Sequence, residues 1–319
     1  MKLTLEILEL IKKGSTIEQI QQTLSLSHKK IYYYIDLLEK NGLLINRKYY
    51  YNGDLKYQLA HDFQEDRASL ITRHSDTDLK FLLLSDLHLA SSEENLSLLN
   101  EVYNFCIKED IHVILNAGDF IDGFVGTIPK LFDNGYEQIE YAIKKHPYDS
   151  SIINFLVLGN HDYSTIKIDG VALDKMLKRK RHDIKVVGYG EGKLLIKNDF
   201  LVIKHPLKNG KTNDCNYNNA LILKGHSHRM KMIMDDNNCI LYVPTISNIL
   251  SENTFPGIIV MNLKTLNGYF QEGIFECFNY INNQFYRTSE IKVHLGNGKD
   301  FSKDNINYEE NYKVLKKER

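Results

Sequence analysis

The chain has 319 residues, of which 43% are hydrophobic and 25% charged, and a formal net charge of −1. That length allows one or two domains with a sizeable core, and the composition is that of an ordinary globular protein. The near-neutral balance excludes a global electrostatic drive toward nucleic acid or an anionic membrane, so any such binding needs a local patch.

In chain order, the first stretch repeats Leu3, Ile7, Leu8, Leu10 and Ile11 at helical spacing. Glu6 and Glu9 interrupt it where a secretory leader would be apolar. Gly14 ends this helix, and Ser15 or Thr16 can cap the next, Ile17–Leu24, which sets Ile17, Ile20 and Leu24 on one face. A third helix carries Ile31, Ile35 and Leu38 at i, i+4 and i+7, with Gly42 closing it. A Tyr-rich strand, a turn at Asn52-Gly53-Asp54 and a return strand over 56–59 then read as a hairpin.

Three helices followed by a hairpin resemble a winged helix-turn-helix over residues 1–60. This unit holds nine Lys/Arg against six acids, a net charge of +3. His28, Lys29 and Lys30 open the third helix, where a recognition helix meets DNA, and Arg47 and Lys48 lie in the hairpin. These five are the candidate nucleic-acid contacts. Winged helices also serve as dimerisation units, so a protein-contact or oligomerising role stands beside DNA binding.

Residues 61–78 are polar and aperiodic and read as a linker. Beyond them, short apolar runs recur at 81–84, 113–115, 155–158, 201–203, 221–223, 240–243 and 258–261. Helical stretches, including Leu96–Lys108 and 136–144, lie between some of them. This is the rhythm of an α/β domain. None of these runs approaches the roughly 20 apolar residues of a bilayer span. Four scattered cysteines (Cys106, Cys215, Cys239, Cys277) with no CxxC pair suit a reducing compartment. The expectation is a cytoplasmic protein with no membrane contact, ending in a charged tail at 297–319.

Polar sets stand where five of the apolar runs stop, as ligand sites do at the carboxyl ends of strands in α/β sheets. The first is Asp86-Leu87-His88, whose i and i+2 side chains point one way if the segment is extended. The second is Gly118-Asp119-Phe120-Ile121-Asp122, with a carboxylate at a tight turn. The third, Gly159-Asn160-His161-Asp162, offers a neutral carbonyl oxygen and a histidine whose tautomer Asp162 can hold. The fourth is a lone His205, and the fifth is Gly225-His226-Ser227-His228. Each set alone has a bland reading as a turn, whereas five in order do not.

Together they resemble the calcineurin-like metallophosphoesterases over about residues 79–275: Asp-x-His, Gly-Asp-x-x-Asp, Gly-Asn-His-Asp, a lone His and Gly-His-x-His. One departure is the stretch after the last motif, Tyr242-Val243-Pro244-Thr245-Ile246-Ser247, which lacks the family's usual Gly. The resemblance implies an αββα sandwich over 79–296, joined to a small winged-helix domain. It implies that Asp86, His88, Asp119 and His228 hold one metal and that Asp119, Asn160, His205 and His226 hold the other. His161 then acts as the catalytic histidine, oriented by Asp162. A thiolate-free N/O ligand set suits two divalent ions such as Mn, Fe or Zn, and the reaction implied is attack of hydroxide on a phosphoester.

The substrate is read less directly. A phosphodiester hydrolase, acting as a DNA nuclease positioned by residues 1–60, is the first expectation. The alternatives are a small-molecule or phosphoprotein phosphatase or phosphodiesterase, and a DNA-binding regulator with a ligand-sensing phosphoesterase domain. The basic run Lys178-Arg179-Lys180-Arg181-His182 can steer a polyanion, but it also suits the C-terminal end of a helix begun near Val171.

Overall fold

The computed structural model describes residues 2–60, 68–72, 78–207, 217, 219–235, 238–250 and 254–295. The tail at 297–319 and Cys215 lie outside them.

The N-terminal unit forms as its periodicity predicts: α1 (Lys2–Lys12), α2 (Ile17–Leu24), α3 (His28–Lys40), β1 (Ile45–Tyr50) and β2 (Leu55–Leu59). Thr16 caps α2 in a reciprocal box with Gln19. The expected linker contains a short strand, β3 (Ser69–Ile71), which pairs in parallel with β1 on one side and with β8 (Glu191–Ile196) on the other. Its residues 61–67 and 73–77 lie outside the described set.

The body has two sheets. The first, in spatial order, comprises β15 (Gln284–His294), β14 (Tyr269–Ile281), β13 (Gly257–Leu266), β4 (Asp78–Leu84), β5 (Val113–Asn116), β6 (Ile153–Leu158) and β7 (Ile184–Tyr189). Strands β4 to β7 run parallel. The second comprises β11 (Lys231–Asp235), β12 (Asn238–Tyr242), β10 (Leu221–Lys224), β9 (Asp199–Lys204), β8, β3, β1 and β2.

Alternation along the buried strands explains the layering. Leu79, Phe81 and Leu83 of β4 join Phe155 and Val157 of β6 in the core shared with the second sheet. Leu82, Leu84, Leu156 and Leu158 face α4 (Leu96–Lys108), α5 (Gly135–Lys145) and α7 (Leu173–Lys180) instead. The outer face of the second sheet carries a small cluster of Val202, Ala220, Ile222 and Ile240, and no helical residue takes part in it. The second outer helix layer of an αββα sandwich is therefore not seen among the described residues.

The N-terminal unit shares the interior of the body. Ile7, Ile20, Ile31, Ile35 and Tyr57 belong to the same apolar cluster as Phe81, Phe155 and, from β9, Leu201 and Ile203. Tyr49 packs edge-on against Phe155, with ring centroids 5.5 Å apart. A Cβ at Gly53, at the hairpin tip, would lie 2.0 Å from the Ser151 carbonyl oxygen, so the tip is pressed onto the body. Helix α3 is tied down as well: Tyr32 stacks on His182 (4.0 Å between centroids), Tyr148 Oη meets His28 Nδ1 at 2.6 Å, and Arg179 pairs with Asp36 at 3.3 Å. No helix among the described residues is long and apolar enough to cross a membrane. Cys106, Cys239 and Cys277 are buried free thiols.

Two histidines in this interior give folding a pH dependence. Burial, helped by the charges of Arg47 and Lys178, pushes His182 well below its ordinary value; burial and Arg181 do the same to His146. Both are neutral when folded, whereas the unfolded chain takes up their protons below about pH 6.5. The unfolded state then binds more protons, so stability is lost as the pH falls through that value. Urea denaturation between pH 6.5 and 5 should show each histidine contributing a slope of up to about 1.4 kcal/mol per pH unit. His182→Gln should remove one such share; an unchanged slope would mean that His182 is not held neutral.

Candidate metal centre

The five motif segments converge at the carboxyl ends of β4, β5, β6, β9 and β10. Their backbones are not the extended segments that the spacing of Asp-x-His and His-x-His suggests. Asp86, His88, Asp119, His226 and His228 all have positive φ, between 46° and 74°. Each side chain is thus aimed by a left-handed turn, a conformation that costs energy and persists only where the surroundings enforce it. The enforcement is visible around Asp86. Thr245 Oγ1 donates to its carbonyl at 2.8 Å and meets Ser247 Oγ at 2.7 Å, so the stretch without the expected Gly still braces this loop.

His205, the weakest signal in the sequence, is fully buried, as Asp86 is. A Cβ at Gly118, Gly159 or Gly225 would lie within 2.3–2.7 Å of an atom of its ring. Three motif glycines therefore make the slot that accepts the imidazole.

Two of the close groups correspond to the expected metal sets. Asp86, His88 and His228 present ligand atoms within 4.8 Å of one another, as do Asp119, His205 and His226. Asp119 groups only with the second set, and Asn160 stands at the start of α6 (Asn160–Asp169), next to Gly159, where a Cβ would fall 2.2 Å from Asp119 Oδ1 and 2.4 Å from the His205 ring. Asp86, His88, Asp119 and His205 are buried, while Asn160, His161, His226 and His228 are half-buried and form the open side.

The hydrogen bonds assign the imidazole nitrogens. His205 Nδ1 lies 2.7 Å from the Ala117 carbonyl oxygen, His228 Nδ1 2.7 Å from that of Ile249, and His161 Nδ1 2.6 Å from that of Asp122. A carbonyl can only accept, so each Nδ1 carries the proton and each Nε2 is left with its lone pair in the neutral ring. Those Nε2 atoms face other electron-rich atoms. His205 Nε2 is 2.9 Å from Asp119 Oδ2, His228 Nε2 is 3.2 Å from Asp86 Oδ1, and the Nε2 atoms of His88 and His228 are 3.3 Å apart. His205 Nε2 and Asn160 Oδ1 are buried without a hydrogen-bond partner. Ring nitrogens and carboxylates converging in such a site fit a divalent cation, and carbonyl-anchored histidines are its usual ligands.

The electrostatics show how strongly the carboxylates draw positive charge: burial disfavours a charged His205, but Asp119 outweighs it and lifts the ring to about 9, so that a proton holds Nε2 wherever a cation does not. Burial would likewise raise Asp86, yet His228, His205 and His88 hold it well below the usual carboxylate range.

Asp162 has a different place from the one expected. Its oxygens accept from the backbone N–H groups of Phe120 (3.2 Å), Ile121 (2.9 Å) and Gly159 (2.9 Å), tying the second motif to the third. The partner of the His161 ring is Asp122, through its carbonyl and through Oδ1 at 3.5 Å from Nδ1. Asp122 Oδ1 is also 3.3 Å from His88 Nδ1, and Oδ2 is 3.0 Å from Lys130 Nζ. The sequence signal for this role is the second Asp of Gly-Asp-x-x-Asp.

The candidate nucleic-acid contacts divide. His28 is held by Gln21 and Tyr148, and Arg47 makes two 2.9 Å bonds to Glu39 with its side chain 10% exposed. Neither is free to meet DNA. Lys29, Lys30 and Lys48 are exposed. Most of the basic run at 178–182 is used internally: Arg179 pairs with Asp36, Lys180 with Glu140, and Arg181 with Asp183, while His182 bonds Tyr57.

The family model for calcineurin-like phosphoesterases matches residues 79–283. Among solved structures, the chain is similar to Yfce, a phosphoesterase from E. coli (14% identity, 68% of this chain and 100% of that chain, TM-score 0.44). It is also similar to a novel archaeal phosphodiesterase (15% identity, 67% and 100%, TM-score 0.40) and to Vacuolar Protein Sorting 29 from Cryptosporidium parvum (13% identity, 69% and 100%, TM-score 0.42). No curated protein matches the sequence.

Asp162→Ala should strand three buried amides. At about 1–3 kcal/mol for each unsatisfied group, urea denaturation should register a loss of roughly 3 kcal/mol or more. A loss under about 1 kcal/mol would show that the amides find other partners.

Proposed function

Because this chain belongs to the calcineurin-like phosphoesterase family, and is thus a hydrolase of phosphoester bonds, we propose that it cleaves a phosphodiester with two divalent cations. One set of ligands is Asp86, His88, Asp119 and His228; the other is Asp119, Asn160, His205 and His226. The observation that carries this reading is the pair of Nε2 atoms turned toward Asp86 and Asp119, with each Nδ1 of His205 and His228 anchored on a carbonyl. Mn, Fe or Zn suits such oxygen and nitrogen donors. Bound there, the cations supply positive charge that offsets the phosphate and acidifies water.

The remaining groups manage a proton. His161 is half-buried at the open side, with Nδ1 anchored on Asp122 and Nε2 4.0 Å from Asp119 Oδ2. Burial opposes its charge while Asp122 favours it, and with Nδ1 held by Asp122 it is Nε2 that can give a proton to a leaving oxygen. Lys130 holds Asp122 from the far side.

The narrower reading, a DNA nuclease positioned by a winged helix at residues 1–60, rests on the helix and hairpin order and on exposed Lys29, Lys30 and Lys48. Its test is a gel shift with the full chain at several salt concentrations, with loss of a salt-dependent shift in Lys29→Gln/Lys30→Gln as the expected result. A shift that survives in this variant would assign the binding elsewhere.

Full-length protein with Mn²⁺ should hydrolyse a bis-aryl phosphodiester, and a chelator should abolish the activity. His161→Ala should lower kcat by about 10²–10⁴-fold. Asp122→Asn should cost less, about 10-fold or somewhat more, because the backbone carbonyl still anchors Nδ1. Hydrolysis undiminished in His161→Ala would overturn its assigned role.

A further inference from the structure

Five arginines fall among the described residues, and four are committed to carboxylates. Arg47 pairs with Glu39, Arg179 with Asp36, Arg181 with Asp183, and Arg287 with Glu276 and Glu290. Arg229 is the exception: it is exposed, and no carboxylate among the described residues pairs with it. It follows His228 directly.

Its backbone is nevertheless pinned. Arg229 N donates to Ser227 Oγ at 3.4 Å, and Ser227 Oγ donates to Arg229 O at 3.3 Å. On one side His228 is anchored on Ile249; on the other, Met230 packs against the main core. Lys231, two residues on and so within roughly 7 Å along the chain, is also exposed and has no carboxylate partner among the described residues. Two exposed cations with no carboxylate partner among the described residues thus follow His228 within three positions, next to the half-buried end of the ligand cluster in sequence.

An unpaired arginine on a rigid backbone is pre-organised for a phosphate, which its planar fork can bind through two parallel hydrogen bonds. The buried ligand groups already account for the scissile phosphate. Resting on the phosphodiesterase reading above, we propose that Arg229, supported by Lys231, binds a second phosphate of the substrate, next to the one that is cleaved. The substrate class is then an extended phosphodiester chain such as a single-stranded oligonucleotide, and Arg229 is a specificity-determining residue. The chain then leaves the site along the start of β11.

The test compares full-length wild type, Arg229→Gln, Arg229→Lys and Lys231→Gln with Mn²⁺. The substrates are a bis-aryl phosphodiester, which has no second phosphate, and a short fluorescein-labelled single-stranded DNA. The ratio of kcat/KM on DNA to that on the aryl diester should fall about 10-fold in Arg229→Gln, through KM, with a smaller fall in Arg229→Lys and Lys231→Gln. Fluorescence anisotropy should show weaker DNA binding by Arg229→Gln, with a shallower salt dependence. An unchanged ratio, or an equal loss on both substrates, would overturn the proposal. If wild type cleaves neither substrate, the phosphodiesterase reading fails, while the anisotropy comparison still decides whether Arg229 binds the chain.

Discussion

Everything at the centre depends on how the imidazole rings are anchored. A backbone carbonyl fixes the Nδ1 proton of His205, His228 and His161, and the anchors come from two parts of the chain: Ala117 and Asp122 in the loop after β5, and Ile249. The tautomer is therefore set by the main chain and not by the titration of a neighbour. Its consequence is a site whose lone pairs and carboxylates face inward at 2.9–3.3 Å. Such a cluster is costly unless positive charge enters it. The left-handed backbones of Asp86, His88, Asp119, His226 and His228 add to that cost. The rest of the fold serves to hold these strained turns in place, through the buried strands below them and the Asp162 and Thr245 braces beside them.

The candidate site is legible in the sequence because each polar set closes an apolar run. The strands that end there, β4, β5, β6, β9 and β10, fall on those runs. What is not legible is three-dimensional. Extended geometry is the simplest reason for two side chains at i and i+2 to share a cavity, but the turns are left-handed. Asp162 reads as the partner of His161 because it is adjacent in sequence. Adjacency at the start of a helix instead sends its carboxylate back to the amides of Gly159, Phe120 and Ile121, and Asp122 takes the ring. His205 carries almost no signal alone, since the glycines that make its slot belong to three other motifs, each on a different strand end.

The N-terminal unit shows the same limit. Periodicity and the Asn-Gly turn are enough to read its helices and hairpin. They cannot reveal that a three-residue strand, β3, stitches the hairpin to β8, because three polar-flanked residues have no period. Nor can charge counting distinguish an available cation from a paired one. Arg47 and Arg179 add to the basic character as Lys29 does, yet both are bound to carboxylates within the fold. The unit shares its core with the body, so α3 and the hairpin are built onto the same framework as the metal centre.

We propose that two cations share Asp119. Electron paramagnetic resonance of the full chain titrated with Mn²⁺ tests it most directly, because two ions bridged by one carboxylate are magnetically coupled. The account requires two Mn²⁺ per chain with a coupled signal, and loss of the coupling in Asp119→Asn. A single isolated Mn²⁺ signal at saturation, or two ions with no coupling, would contradict it.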